Sequence, residues 1–396
     1  MSAKRQDPDI KKDTLMAKER IQVEGKKVMV VFGTRPEAIK MAPVVQALKR
    51  TSLHCEIAVT AQHREMLDQV LELFQIKPDY DLNLMQAGQT LTDITTRALQ
   101  GLKDVLEQAK PDLVLVHGDT TTTFVAALAA FYAQIPVGHV EAGLRTGHKY
   151  SPFPEEMNRK LAGVLTDLHF SPTETSKRNL LAEGVPEEKI YVTGNTVIDA
   201  LLTTVKKDYT FSDAALREIL GQSAGQRMIL VTTHRRENLG EPMRQIYRAL
   251  AEVLEHYPDT YVVFPVHKNP SVRQVVNEVL GHNPRVHMIE PLDYEPFVNL
   301  QAQANIILTD SGGIQEEAPS LGIPVLVVRD TTERPEAVEA GTVSLVGTSY
   351  EKVLQELSRL LSNQEAYENM AHAVNPYGDG RAASRIAKIT EDFLQA

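Results

Sequence analysis

From Gly25 onward the chain alternates two hydrophobic rhythms. Short runs with almost no polar interruption, such as Lys27–Phe32 (KVMVVF), Asp112–His117 (DLVLVH) and Met228–Thr232 (MILVT), suit strands buried on both faces. Further strands are expected at Cys55–Thr60, Ile135–Val140, His169–Phe170, Ile190–Thr193, Tyr261–Pro265, Val286–Ile289, Ile306–Thr309, Pro324–Val328 and Val343–Val346. Between them apolar residues recur at helical spacing. Helices are expected from the Gly33 turn to about Lys49 and over Arg64–Phe74, Leu91–Gln108, Thr122–Ala133, Asn158–Val164 and Thr173–Glu183. The stretch 196–225 is mostly helical and polar and reads as a connection between two α/β series. Strands alternating with helices imply parallel sheets with right-handed crossovers. The expected fold is therefore α/β, two doubly wound Rossmann-like domains facing a cleft. Ligands of such sheets sit beyond the carboxyl ends of the strands, so chemistry is sought just after each strand.

Composition narrows this little further. The 396 residues are 42% hydrophobic and 24% charged, ordinary for a globular protein of about two domains. One cysteine, Cys55, excludes an intramolecular disulfide and fits a reducing, cytoplasmic setting. No Cys/His cluster has zinc spacing, and no metal is expected. No apolar run nears the roughly 20 residues of a membrane helix, so no membrane partner is expected. Residues 1–25 mix both charge signs without an apolar core and read as a polar extension rather than a secretory signal. The formal net charge of −10 argues against nucleic acid as a partner. An anionic ligand would need a local positive island.

Two post-strand turns could supply one. Gly33-Thr34-Arg35-Pro36-Glu37 follows the first strand: glycine lets the backbone approach a ligand, the helix start offers N–H groups, and Arg35 adds a fork suited to phosphate, with Lys40 one turn on. A tight turn with a surface arginine is the plainer reading. Asp310-Ser311-Gly312-Gly313 follows the Ile306–Thr309 strand and forms a second cradle, with Ser311 as a cap and Glu317 within reach of a ribose diol. Neither turn is GxGxxG or a Walker loop, so NAD and ATP are not supported. Asp119, Glu141 and Glu155 fall after other predicted strands or on a proline-stiffened loop. Asp119 could serve only as a helix cap. His234 and Arg235 follow Thr232, His267 follows Pro265, and Phe297 could wall a base or simply pack in the core.

Together the stretches GTRPEAIKMAP, TAQHREMLDQVL, HGDTTTT, HVEAGLRTG, SPFPEEMNR, THRREN, PVHKNP and TDSGGIQEEAPSLGIPVLVVRDTTERPEA, in order over residues 33–337, resemble the non-hydrolysing UDP-N-acetylglucosamine 2-epimerase family. The resemblance implies a glycosyltransferase-B-like fold. Residues 26–195 and a returning C-terminal helix (about 381–396) would form one domain, and 196–380 the UDP-binding domain. It implies interconversion of UDP-N-acetylglucosamine and UDP-N-acetylmannosamine, with no cofactor, in a homodimer supplying cell-surface polysaccharide. In that chemistry UDP leaves while C2–H is deprotonated, and a 2-acetamidoglucal is recaptured with inverted C2. By the same resemblance Asp119, Glu141, Glu155 and His234 match catalytic positions. Arg35, Lys40, Arg235, His267, Phe297, Ser311, Gly312, Gly313, Glu317 and Arg334 match substrate- or UDP-binding positions. Gln62, Gln89, Arg235 and His267 resemble part of an activator site, where Glu65 and Gly88 depart from an expected glutamine and arginine. A hydrolysing epimerase and a UDP-sugar glycosyltransferase of the same fold are the alternatives.

Overall fold

The computed structural model describes residues 25–61, 64–86 and 88–396. It contains two wholly parallel sheets. The first is built from β1 (Lys27–Phe32), β2 (His54–Val59), β3 (Tyr80–Asp81), β4 (Leu113–His117), β5 (Val137–Val140), β6 (Leu168–Ser171) and β7 (Ile190–Val192), in the order β3-β2-β1-β4-β5-β6-β7. The second holds β8 (Arg227–Thr232), β9 (Thr260–Pro265), β10 (Val286–Ile289), β11 (Ile306–Thr309), β12 (Val325–Val327) and β13 (Val343–Leu345), in the order β10-β9-β8-β11-β12-β13. Each order reverses beside its first strand, between β1 and β4 and between β8 and β11. The loops after these four strands therefore diverge and leave a crevice.

The strands form where the hydrophobic runs predict. All five residues of β4 are buried, as are five of six in β1, because helices cover both faces. The Arg35–Leu48 helix starts with a capping box: the Thr34 hydroxyl accepts from Glu37 N, and the Glu37 carboxylate accepts from Thr34 N at 2.8 Å. Two local differences stand out. The sequence pattern starts a helix at Asn158, whereas the helix runs Glu155–Val164 with Pro154 at its N-cap, so the prolines lead into a helix rather than a longer loop. The two-residue β3 is too short and polar to leave a hydrophobic signature.

Helices join the two halves. In the Thr196–Thr204 helix, Ala200 and Leu201 pack into the core under the first sheet, while Val197 and Ile198 pack into the core under the second. The Ala382–Gln395 helix returns to the first half. Its Ala383, Ile386 and Ala387 pack with Val44, Val45 and Leu48, and Asp199 accepts from Ala382 N and Ala383 N at 3.2 and 2.9 Å. Among the described residues no helix is long and apolar enough to cross a membrane.

Candidate active site

The crevice holds two chambers that share a wall. An inner one of about 420 Å³ is lined by Lys40, His117, Asp119, Glu141, Glu155, Arg159 and Arg334. An outer one of about 720 Å³ is lined by Arg35, Lys40, His234, Tyr294, Phe297, Ser311, Gly313, Glu316, Glu317 and Arg334. Lys40 and Arg334 face both chambers. Most of the sequence-derived candidates thus converge from two sheets onto one crevice. Arg235, His267, Gly312 and Gln89 line neither chamber, although the His267 ring stacks on His234 with centroids 5.5 Å apart. Gln89 accepts from Gln86 N at 2.5 Å, and Gln62 lies outside the described residues.

Glu141 follows β5 directly and takes a positive φ of 65°, a backbone conformation that side-chain-bearing residues rarely adopt and that often marks a functional position. Its carboxylate accepts from the Lys40 ammonium and from Asn195 Nδ2 (2.9 Å), with His117 Nε2 at 3.7 Å. Burial is the largest single influence and raises its proton affinity, but the Lys40 charge and hydrogen bond, together with the charges of His117 and Arg334, outweigh it and hold Glu141 well below the ordinary carboxylate range. His117 is the reverse case, for burial pushes its imidazole down to about 4 and leaves it neutral. Asp119, after β4, is pushed up by burial, with the Arg159 guanidinium opposing through a direct bond. Thr120, not Asp119, caps the following helix, which removes the plainer reading of Asp119. Glu155 heads its helix at the rim of the same chamber.

The outer chamber differs in part from the sequence expectation. The Gly33 and Thr34 N–H groups already donate to the Glu37 carboxylate at 3.0 and 2.8 Å, so this turn offers an anion a side chain, not a backbone cradle. That side chain is Arg35, which has no carboxylate partner among the described residues. In the second half Ser311 occupies the N-cap position, but its hydroxyl makes no cap bond. Buried Asp310 holds the neighbouring turn, accepting from His234 N and Arg235 N at 2.9 Å each, with His234 Nδ1 3.1 Å from its other oxygen. Arg235 is drawn inward, its Nε donating to the Asp310 carbonyl at 3.0 Å. Burial pushes Glu317 up to about 7.

Five participants escape the sequence reading: Asn195, Glu316, Arg159, Asp310 and Tyr294. Glu316 pairs with Arg334, lies 3.9 Å from Lys40 and accepts from Asn195 at 3.2 Å. The post-strand rule would have found Asn195, three residues beyond β7; it does reach Asp310, directly beyond β11, as part of the second cradle, but gives it no role.

Two doubly wound sheets facing across a charged cleft define a glycosyltransferase-B-like α/β enzyme. A glycosyltransferase of kitacinnamycin shares this fold at 14% identity, with a TM-score of 0.63 over 93% of this chain and 99% of that one. Closer likenesses are specific. Residues 46–391 match the family model described as UDP-N-acetylglucosamine 2-epimerase. The UDP-N-acetylglucosamine 2-epimerase of Escherichia coli K12 is 60% identical over 372 residues, 92% of this chain and 98% of that protein. The Neisseria meningitidis UDP-GlcNAc 2-epimerase, solved bound to UDP-GlcNAc, is 54% identical with a TM-score of 0.80, covering 93% of this chain and 100% of that one. The Methanocaldococcus jannaschii enzyme, solved with UDP-GlcNAc and UDP, is 36% identical with a TM-score of 0.72, covering 92% and 99%. The chain belongs to the UDP-N-acetylglucosamine 2-epimerase family and is an isomerase.

Proposed function

We propose that the chain interconverts UDP-N-acetylglucosamine and UDP-N-acetylmannosamine by elimination and re-addition of UDP, without net hydrolysis. The nucleotide takes the outer chamber and the sugar the inner one, which puts the diphosphate at the seam beside Lys40 and Arg334. Lobes of residues 26–195 with 381–396, and of 196–380, close over it. The observation that carries this reading is the pair Asp119 and Glu141 in one chamber, with proton affinities pushed in opposite directions. Such a split assigns an acid and a base.

The C2 proton is not acidic, so it cannot simply be removed and returned. If the C1–O bond breaks as C2–H is lost, the C–H electrons form a C1=C2 bond and the C–O electrons leave with UDP. An ionised carboxylate takes the proton on one face. A proton-holding carboxyl then protonates C2 from the other face, while the UDP oxygen re-attacks C1. In reverse the roles exchange. Arg35, Lys40, His234, Arg334 and the Ser311–Gly313 turn stabilise the departing charge. Glu317 binds the ribose, Phe297 walls the uracil, and Glu155 completes the carboxylate set. No cofactor takes part.

A homodimer fits an exposed apolar face on two adjacent helices, where Phe131, Tyr132, Leu161 and Val164 are 57, 67, 41 and 86% exposed. Tyr132 also lines a hollow of about 820 Å³, with Leu99, Leu106 and Ile135, that shares no lining residue with either chamber. The reaction belongs in the cytoplasm. Proton NMR in heavy water with UDP-N-acetylglucosamine alone tests the proposal. Deuterium should appear at C2 of both recovered UDP-sugars. Free N-acetylmannosamine as the main product would move the reading to a hydrolysing epimerase, and absence of C2 exchange would remove it.

A further inference from the structure

We propose that Asn195 is a positioning residue for Glu141, tying its carboxylate to the second lobe through Glu316 while the neighbouring cations turn to the leaving diphosphate. The inference rests on the epimerase reading above. Asn195 is 3% exposed and sits at the N-cap of the Thr196–Thr204 helix, the helix shared by both cores. Its orientation is determined. Oδ1 accepts from Val197 N at 3.0 Å, and the backbone N–H donates to the Tyr377 carbonyl at 2.7 Å. The amide nitrogen therefore faces the crevice, and its two hydrogens go to carboxylates of opposite lobes, Glu141 at 2.9 Å and Glu316 at 3.2 Å.

Each carboxylate otherwise depends on a cation. Glu141 is held by Lys40 and Glu316 by Arg334, and both cations line both chambers. A diphosphate at the seam competes for these same two cations. Once they turn towards it, Glu141 and Glu316 lose much of their counter-charge and repel each other across the seam. Asn195 is the neutral group between them, donating one hydrogen to each. Among the described residues it makes the one hydrogen bond to the Glu141 carboxylate besides that of Lys40. The positive φ of Glu141 already restricts where its side chain can point, and Asn195 removes much of the freedom that remains.

The test is Asn195→Asp beside Asn195→Ser. The aspartate keeps the shape and the cap oxygen, loses both donated hydrogens and adds a carboxylate beside Glu141 and Glu316, so its loss of kcat supports the proposal only when the uncharged serine variant shows the same loss. The serine keeps a cap acceptor but is too short to reach the carboxylates. Turnover is measured in both directions, with UDP affinity by calorimetry and the share of turnovers that end as released glucal and UDP. Losing a hydrogen bond to a charged group should lower kcat about 10- to 100-fold in both variants. KM and the Kd for UDP should stay within about threefold, and the glucal share should rise. A merely structural role predicts that Asn195→Asp, cap intact, keeps wild-type kcat and partition per folded molecule. That outcome overturns the proposal, as does a loss of UDP affinity equal to the loss of kcat. Should the aspartate variant not fold, the serine variant decides on the same readouts. The wild-type chain in the same assay separates the two readings. If it does not epimerise, the proposed function fails, and if it does while both variants match it, only the role of Asn195 fails.

Discussion

Replacing Glu317 by glutamine removes one charge from the nucleotide chamber, and the structure fixes the sign of the effect. Burial pushes this carboxyl from 4.5 up to about 7, opposed mainly by Gln301, which donates to it at 3.3 Å. Between those two pH values the folded protein holds a proton that the unfolded chain has already released. The contribution of Glu317 to stability is therefore full below about pH 4.5 and is lost as pH rises through about 7. At about 1.4 kcal/mol per pH unit the interval amounts to about 3 kcal/mol, an upper limit because the half-buried side chain is partly screened by water. Glu317→Gln abolishes this ionisation, so its Tm advantage over wild type should grow between pH 4.5 and pH 8. With an unfolding entropy of about 2.1 cal/mol/K per residue, the growth is about 4 °C if the whole chain melts as one unit. Scanning calorimetry across that pH range measures it. Affinity should move the other way, since a ribose diol donates better to a carboxylate than to an amide. At pH 8 the variant should bind UDP about tenfold more weakly. A melting difference that stays constant from pH 4.5 to pH 8 would refute the reasoning, because the carboxyl would then ionise at its ordinary value in the folded protein.

The other expectations concern chemistry, charge and assembly. Asp119→Asn and Glu141→Gln should each lower turnover by about 10² or more while UDP still binds, and near-normal turnover in either variant would strip that residue of its catalytic role. Arg35→Ala removes a guanidinium without a carboxylate partner among the described residues and should weaken UDP binding about 10- to 100-fold at little cost in stability, which calorimetry checks directly. Val164→Asp places a charge on the exposed apolar face. If the chain forms the homodimer proposed above through this face, light scattering should show dimers for the wild type and monomers for the variant, and a dimeric variant would exclude this face as the interface.

The parts of the molecule legible in the sequence are those governed by local rules. Double-sided burial writes β1, β4 and β8 as unbroken apolar runs, and the alternation of strands with helices fixes the parallel topology. The post-strand rule then draws attention to Arg35, Asp119, Glu141 and Ser311 before any coordinates are known. What it does not supply is who holds whom. The turn after β1 looks like an anion cradle, yet its N–H groups belong to Glu37, four residues on and otherwise an unremarked first-turn glutamate. The bonds that set Glu141 and Glu316 span 54 and 121 positions of sequence and cross from one sheet to the other through an asparagine that reads locally as a helix cap. Both readings of Asn195 are true at once, because an amide has an acceptor for the helix and two donors to spare. Asp310 is similar. Its place after β11 could be read from the sequence, but its hold on the His234–Arg235 turn depends on β8 and β11 being neighbours, a consequence of strand order rather than of spacing along the chain. A residue type and its position can therefore nominate a catalytic group. Its proton affinity, on which acid and base depend, is set by partners that only the folded topology brings within 3 to 4 Å.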